Sequence, residues 1–342
     1  MLHKLTALVL SLALLLSGCT FPKKEEPKKQ YQATFLTLFD TVTFISGLAE
    51  SEEAFQAQAQ QVHDQLLKYH QLFDIYNDYD GLNNLKTVND NAGVSPVAVD
   101  EIIIRFLTDC KSYYELTGHA VNVAMGSVLS LWHEARTEGI NDPANAALPD
   151  RQALEEASLH TSWDDVIIDF EKSTVYLADP LLRLDLGAAA KGWATQQVAS
   201  SAPRGLLISV GGNVCATGPK DDSGTPWVVG ITDPDGGDYL HTLNITDLAI
   251  VTSGDYQRYY VVDGKTYHHI IDPETLMPAD RWRSVTIACR DSGLADALST
   301  ALFLLPREEG QALLDKCGAE AMWLDAQGNR YYSPGFQDLI RT

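Results

Sequence analysis

Basic residues are scarce in this chain. Of 342 residues, 25 are Lys or Arg against 46 Asp or Glu, a formal net charge of −21. A nucleic-acid partner needs basic patches against phosphate, so this balance argues against one. A phosphorylated small molecule stays open, because one metal ion reverses the local field. Cysteine is scarce too, at five residues without a close pair, which argues against a zinc site. No apolar run after the N-terminus is long enough to span a membrane. Sequence repeats and regular βαβ alternation are both missing. Helical patterns come early and strand patterns late, which predicts an α+β fold with a mainly antiparallel sheet.

The N-terminus carries an address. Met1-Leu2-His3-Lys4 is a short basic start, and Leu5 to Leu16 is an apolar core too short for a transmembrane helix. It ends in Leu16-Ser17-Gly18-Cys19, which resembles a bacterial lipobox. That resemblance implies cleavage after residue 18, lipidation at Cys19 and an extracytoplasmic location; a plain secretory signal with an incidental cysteine is the alternative. The following charged, proline-containing stretch reads as a tether. The expected organisation is a signal peptide (1–18), a lipidated tether (19–31) and one domain (32–342). Export permits disulfides, yet a domain of this size forms a core without them. Cys110, Cys215, Cys289 and Cys317 therefore read as mostly buried free thiols.

Thr34 to Ser46 reads as one strand, Glu50 to Leu72 as a helix, and Phe73 to Asn89 as loop. Asp100 is placed to cap a helix ending before Gly118. Glu134 to Ala157 reads as a polar insertion with helical turns, and Val166 to Leu177 as a hairpin. Strands dominate from Gly205. Asp263-Gly264 is a type I′ turn signal between arms Arg258 to Val262 and Thr266 to Ile271. Neighbours on a strand face opposite ways, so only one of His268 and His269 faces a site.

Two segments carry candidate chemistry. Leu184-Asp185-Leu186-Gly187-Ala188-Ala189-Ala190-Lys191-Gly192 reads as a strand end, a glycine break and a helix start. Such a junction offers free N–H groups and a positive dipole end to a phosphate, with Lys191 adding charge. It reads equally as a glycine turn before a core helix. The almost wholly apolar helix Gly293 to Leu305 contains Asp296, with Thr300 one turn on. A carboxylate there needs a partner, either a hard cation or a distant lysine.

Together, Leu184-Asp185-Leu186-Gly187 through Lys191-Gly192, Gly211-Gly212-Asn213, Thr252-Ser253-Gly254-Asp255-Tyr256, His269-Ile270-Ile271-Asp272-Pro273 and Ala295-Asp296-Ala297-Leu298-Ser299-Thr300-Ala301 resemble the ApbE family of flavin transferases. The resemblance implies a T-fold-like α+β domain with flanking helices and a smaller accessory part. It also implies Mg²⁺-dependent transfer of FMN from FAD to a threonine of an exported redox protein, with release of AMP. FAD hydrolysis to FMN and AMP, or storage of FAD without catalysis, are the alternative activities. By the same resemblance, Asp185, Lys191, Tyr76, Ala120, Val121, Asn122 and Ile271 contact FAD. The Ala188 carbonyl, Asp296 and Thr300 hold Mg²⁺, and His269 is the catalytic base. Three departures stand out: Asn122 where the family usually has aspartate, Leu276-Met277 in the usual Asp-Pro-x-Thr-Gly turn, and an Ala188-Ala189-Ala190 stretch blander than usual.

Overall fold

The computed structural model describes residues 27–342, so the signal sequence and Cys19 lie outside the described residues. Fifteen strands occur among them. They are β1 (Lys29–Phe35), β2 (Thr43–Ala49), β3 (Val97–Ala98), β4 (Val166–Asp169), β5 (Thr174–Leu177), β6 (Leu206–Val210), β7 (Asn213–Ala216), β8 (Trp227–Thr232), β9 (Tyr239–Ile245), β10 (Ala249–Gly254), β11 (Tyr259–Val262), β12 (Lys265–His268), β13 (Ser284–Cys289), β14 (Glu320–Leu324) and β15 (Arg330–Tyr332). The helices are α1 (Glu52–Phe73), α2 (Leu85–Asp90), α3 (Glu101–Leu116), α4 (Gly126–Asn141), α5 (Arg151–Ser158), α6 (Ala190–Ser201), α7 (Ser292–Leu304) and α8 (Arg307–Cys317).

Eight strands form the main sheet in the order β1-β2-β6-β7-β10-β13-β14-β15, and every neighbouring pair is antiparallel. The period-2 alternation of side chains divides its residues between two cores. Val251, Ile287 and Trp323 pack under α7, whereas Ile250, Ala288 and Met322 pack under the β8–β9 hairpin and the C-terminal turn. The central strand β13 is consequently buried on both faces. Helices α1 and α6 cover the β1-β2-β6 end. A smaller part, with α2, α3 and the β3-β5-β4 sheet, builds its own core around Phe106, Leu184 and Trp193.

Local signals account for the helix ends. Ser51 Oγ accepts from the Ala54 N–H at 3.2 Å, and Phe55, Ala59, Val62 and Leu66 form the buried stripe of α1. The Asp100 carboxylate caps α3 through the Ile102 N–H. The β11–β12 turn has Asp263 at φ 50° and Gly264 at φ 77°, as a type I′ turn requires. The four remaining cysteines are free; Cys110, Cys215 and Cys289 are buried and Cys317 partly so.

Four sequence expectations change. The strand expected over Thr34 to Ser46 is two antiparallel strands, broken by a turn in which Phe39 and Asp40 are left-handed (φ 53° and 52°). Pairing already starts at Lys29, inside the stretch read as tether. The loop expected over Phe73 to Asn89 contains α2, started by a capping box between Asn84 and Thr87. The stretch Glu134 to Ala157, read as a polar insertion with helical turns, belongs to α4 and α5, and α4 starts earlier, at Gly126, where the Gly126 N–H donates to the Arg183 carbonyl.

Candidate active site

A single cavity of about 630 Å³ brings the sequence motifs together. That volume lies in the range of small-molecule sites, about 300–1,000 Å³. Its walls include Tyr76, Ala120, Val121, Asn122, Asp185, Ala188, Lys191, His269, Ile271, Asp296 and Thr300, each of which the sequence had singled out. Cys19 alone of the candidate residues lies outside the described chain.

Chain segments distant in sequence are tied beside one another at this cavity. The Asp185 N–H donates to the Val123 carbonyl at 2.8 Å, laying the Ala120–Asn122 segment alongside the Asp185 segment. Asn89 clamps the same stretch, donating to the Leu184 carbonyl at 3.0 Å and accepting from the Leu184 N–H at 2.8 Å. The Asp185 carboxylate accepts from the Gly187 N–H at 2.9 Å, which shapes the break before α6.

Helix α6 has no side-chain cap of its own. The partner comes from α7: the Gly192 N–H donates to the Asp296 carboxylate at 2.8 Å. A Cβ on residue 192 would stand 2.3 Å from Asp296 Cβ, so only glycine admits this approach. Asp296 is buried, and burial pushes its carboxyl above the ordinary carboxylate range. Lys191, the Gly192 N–H and the Asn213 side chain pull it back only in part. The buried carboxylate thus meets the Gly192 N–H directly and feels the charge of Lys191 without forming an ion pair with it.

Magnesium takes oxygen ligands, few of them from protein, and completes its shell with water and phosphate. The Ala188 carbonyl, the Asp296 carboxylate and the Thr300 hydroxyl are of that type. Asp296 has one oxygen bound by a single N–H and spare lone pairs beside it. Among the described residues no group of three or more His, Cys, Asp or Glu could hold a metal, so this reading rests on one carboxylate.

Both histidines line the cavity, not one as strand alternation predicted, because β12 ends at His268; their ring nitrogens differ in what they meet. His268 is buried with both ring nitrogens engaged: Nε2 donates to the Ala279 carbonyl at 2.7 Å and Nδ1 accepts from the Ile270 N–H at 3.2 Å. His269 keeps a buried Nδ1 with no partner. Burial first, then the charges of Arg258, His268, Lys191 and Arg136, push the His269 imidazole down to about 3.

Other residues fill the remaining walls. The Tyr76 hydroxyl pairs with His133 Nδ1 at 2.8 Å, and the Tyr76 backbone is held by Asp74. Asn122 has its side chain committed to structure, donating to the Thr161 carbonyl and accepting from the Ala124 N–H. It therefore faces the cavity without a free carboxylate. The Leu276 turn closes although leucine sits at φ 60°, and the Leu276 carbonyl accepts from Trp132 Nε1 at 3.0 Å.

Sequence reading missed Phe39, His133, Arg136 and Arg258, which also line the cavity. Phe39 lay inside an expected strand. The available signal for the arginines was the rarity of bases in so acidic a chain.

Residues 37–323 match the ApbE family. The chain is 35% identical to an FAD:protein FMN transferase of Treponema pallidum over 278 residues, 75% of each protein. It is 33% identical to one of Klebsiella pneumoniae, covering 74% of this chain and 79% of that protein. The crystal structure of the ApbE protein from Thermotoga maritima superposes with a TM-score of 0.80 at 30% identity, covering 92% of this chain and all of that one. Motif order, antiparallel core and match over most of the length agree: the chain belongs to the ApbE family.

Proposed function

We propose that this protein is an FAD:protein FMN transferase that moves FMN from FAD to a threonine hydroxyl of an exported protein and releases AMP. One observation carries this reading. His269, Lys191 and Asp296, from three separate segments, meet in one cavity with the residues that the family resemblance assigns to FAD.

In this reading Ala120, Val121, Asn122, Tyr76, Asp185 and Ile271 hold the ring systems and sugar of FAD. Lys191 and the start of α6 face the pyrophosphate, where a helix N-terminus favours anions. Ala188, Asp296 and Thr300 would hold Mg²⁺, which when bound offsets pyrophosphate charge and orients the phosphoryl group. His269 accepts the threonine proton as the hydroxyl oxygen attacks the FMN phosphorus. The bond from that phosphorus to the bridging oxygen breaks, and AMP leaves with the oxygen and the electron pair. Lys191 stabilises the charge that develops there. The phosphates bring negative charge among the cations that depress His269 and so raise its basicity when FAD is bound. The lipobox-like N-terminus supports anchoring through Cys19 on the extracytoplasmic face, where an exported acceptor is met.

The test is intact-mass analysis of an exported flavoprotein incubated with this protein, FAD and Mg²⁺. A gain of one FMN with AMP released, lost with chelator and in Asp296→Asn, supports the transferase. Free FMN and AMP with the acceptor unchanged indicates a pyrophosphatase. FAD left intact indicates storage.

A further inference from the structure

The cavity has a second cationic corner that no step above uses. Arg136 lies on α4 and Arg258 stands at the entry to the β11–β12 hairpin. Both line the cavity along with Lys191. Arg136 is partly buried and Arg258 exposed, which sets the pair at the mouth. Their guanidinium groups are close enough for Arg258, after burial itself, to hold the Arg136 guanidinium below its ordinary value. Arg258 is also the leading charge acting on His269.

Neither arginine forms a salt bridge among the described residues, although acids outnumber bases 46 to 25. Of the four carboxylates lining the cavity, Asp74 is engaged with Tyr76 and Asn77 and Asp296 with Gly192; Asp185 holds the Gly187 N–H and acts on Arg136 only through its charge, without an ion pair. The pair is not an accident of loose side chains on mobile elements either. Helix α4 and the hairpin share a core of Val128, Trp132, Tyr260 and Val262, and a Cβ on Gly139 would stand 2.7 Å from the Tyr260 ring. Two like charges held together at the mouth of a cavity, beside an unpartnered imidazole nitrogen, favour an incoming anion. Paired guanidinium groups match the planar fork geometry of phosphoryl oxygens.

We propose that Arg136 and Arg258 form a phosphoryl-binding subsite for the FAD pyrophosphate, in the same cavity as His269 and Asp296. The proposal rests on the flavin-transferase reading. It divides the grip on the pyrophosphate between Lys191 with the start of α6 and the arginine pair.

The test is a fluorescence titration of FAD and of riboflavin, in chelator, with the wild-type protein, Arg136→Gln, Arg258→Gln and the double variant. Each single change is expected to weaken FAD about tenfold, the scale of one charge-assisted contact, while riboflavin affinity stays unchanged. Arg136→Lys should recover part of the loss, and the salt dependence of FAD binding should flatten in the double variant. FAD affinity within about twofold of wild type in both single variants overturns the subsite, as does an equal loss for riboflavin, which would place the arginines on the ring. If wild type binds no FAD, the transferase reading fails instead. Calorimetry with inorganic pyrophosphate then decides the subsite: binding that disappears in the double variant upholds it, and no binding removes it.

Discussion

The Gly192 N–H donates to the Asp296 carboxylate at 2.8 Å, joining the first turn of α6 to the second turn of α7. Each residue explains the other. The helix start gains the cap that its own alanines do not supply, and the buried carboxylate gains a donor. The Lys191 side chain and the Asp296 carboxylate thereby face one cavity.

Gly192→Ala is expected to destabilise the fold and displace Asp296. The new Cβ would meet Asp296 Cβ at 2.3 Å and the Ser292 carbonyl at 2.5 Å. Overpacking of this kind costs about 1–3 kcal/mol. Urea unfolding checks the loss; a midpoint equal to wild type would mean that the helices separate at no cost. Asp296→Asn keeps an acceptor for the N–H, so it should retain the fold while losing turnover.

His269 sets a pH expectation. Its folded value is about 3, below the ordinary 6.5, chiefly through burial. The unfolded chain therefore binds more protons between those values, and stability falls as pH drops through that window. His269→Gln should flatten this acid-side slope, read from urea midpoints at pH 7 and pH 5. In kinetics, the His269 limb of kcat/KM, which reports the free enzyme, should lie far below pH 6. The corresponding limb of kcat should sit higher, because bound phosphate offsets the surrounding cations. Coincident limbs near 6.5 would contradict the depressed value.

His268 is expected to act through position. Its two hydrogen bonds staple Ile270 and Ala279, the two sides of the loop that follows His269. His268→Phe removes both and should lower kcat about tenfold or more, while leaving the KM for FAD within about threefold. Equal losses in both parameters would reduce His268 to a general packing residue.

Leu276 combines strain with burial. At φ 60° it holds a conformation that glycine adopts freely, yet it is only 5% exposed and packs with Trp132 and Ile271. Leu276→Gly should relieve about 1 kcal/mol of backbone strain and lose about 3 kcal/mol or more of core packing. Thermal unfolding should show a net loss. A gain would mean that the strain outweighs the burial.

Much of the site was legible because its residues announce themselves locally. A glycine break before Lys191, an aspartate inside the apolar run Gly293 to Leu305, and His269 after a type I′ hairpin each stand out against their neighbours. Asn89, by contrast, looks like an ordinary loop residue, and only the fold makes it the clamp on Leu184. Phe39 reads as a strand residue by its β-rich surroundings. The tertiary turn between β1 and β2 overrides that propensity and turns the residue into the cavity wall. The motif singled out His269, but only the fold shows how His268 is held, by the Ala279 carbonyl eleven residues away.

The sequence by itself determined most element types, the antiparallel class and the family, because periodicity, caps and motif order are properties of neighbouring residues. Tertiary structure decided what the charged groups experience. Burial raises Asp296 against the pull of Lys191, and burial with the charges of Arg258, His268, Lys191 and Arg136 lowers His269; most of these groups are far apart in the chain. Electrostatic environment depends on distance in space and on exclusion of water, and spacing along a chain encodes neither.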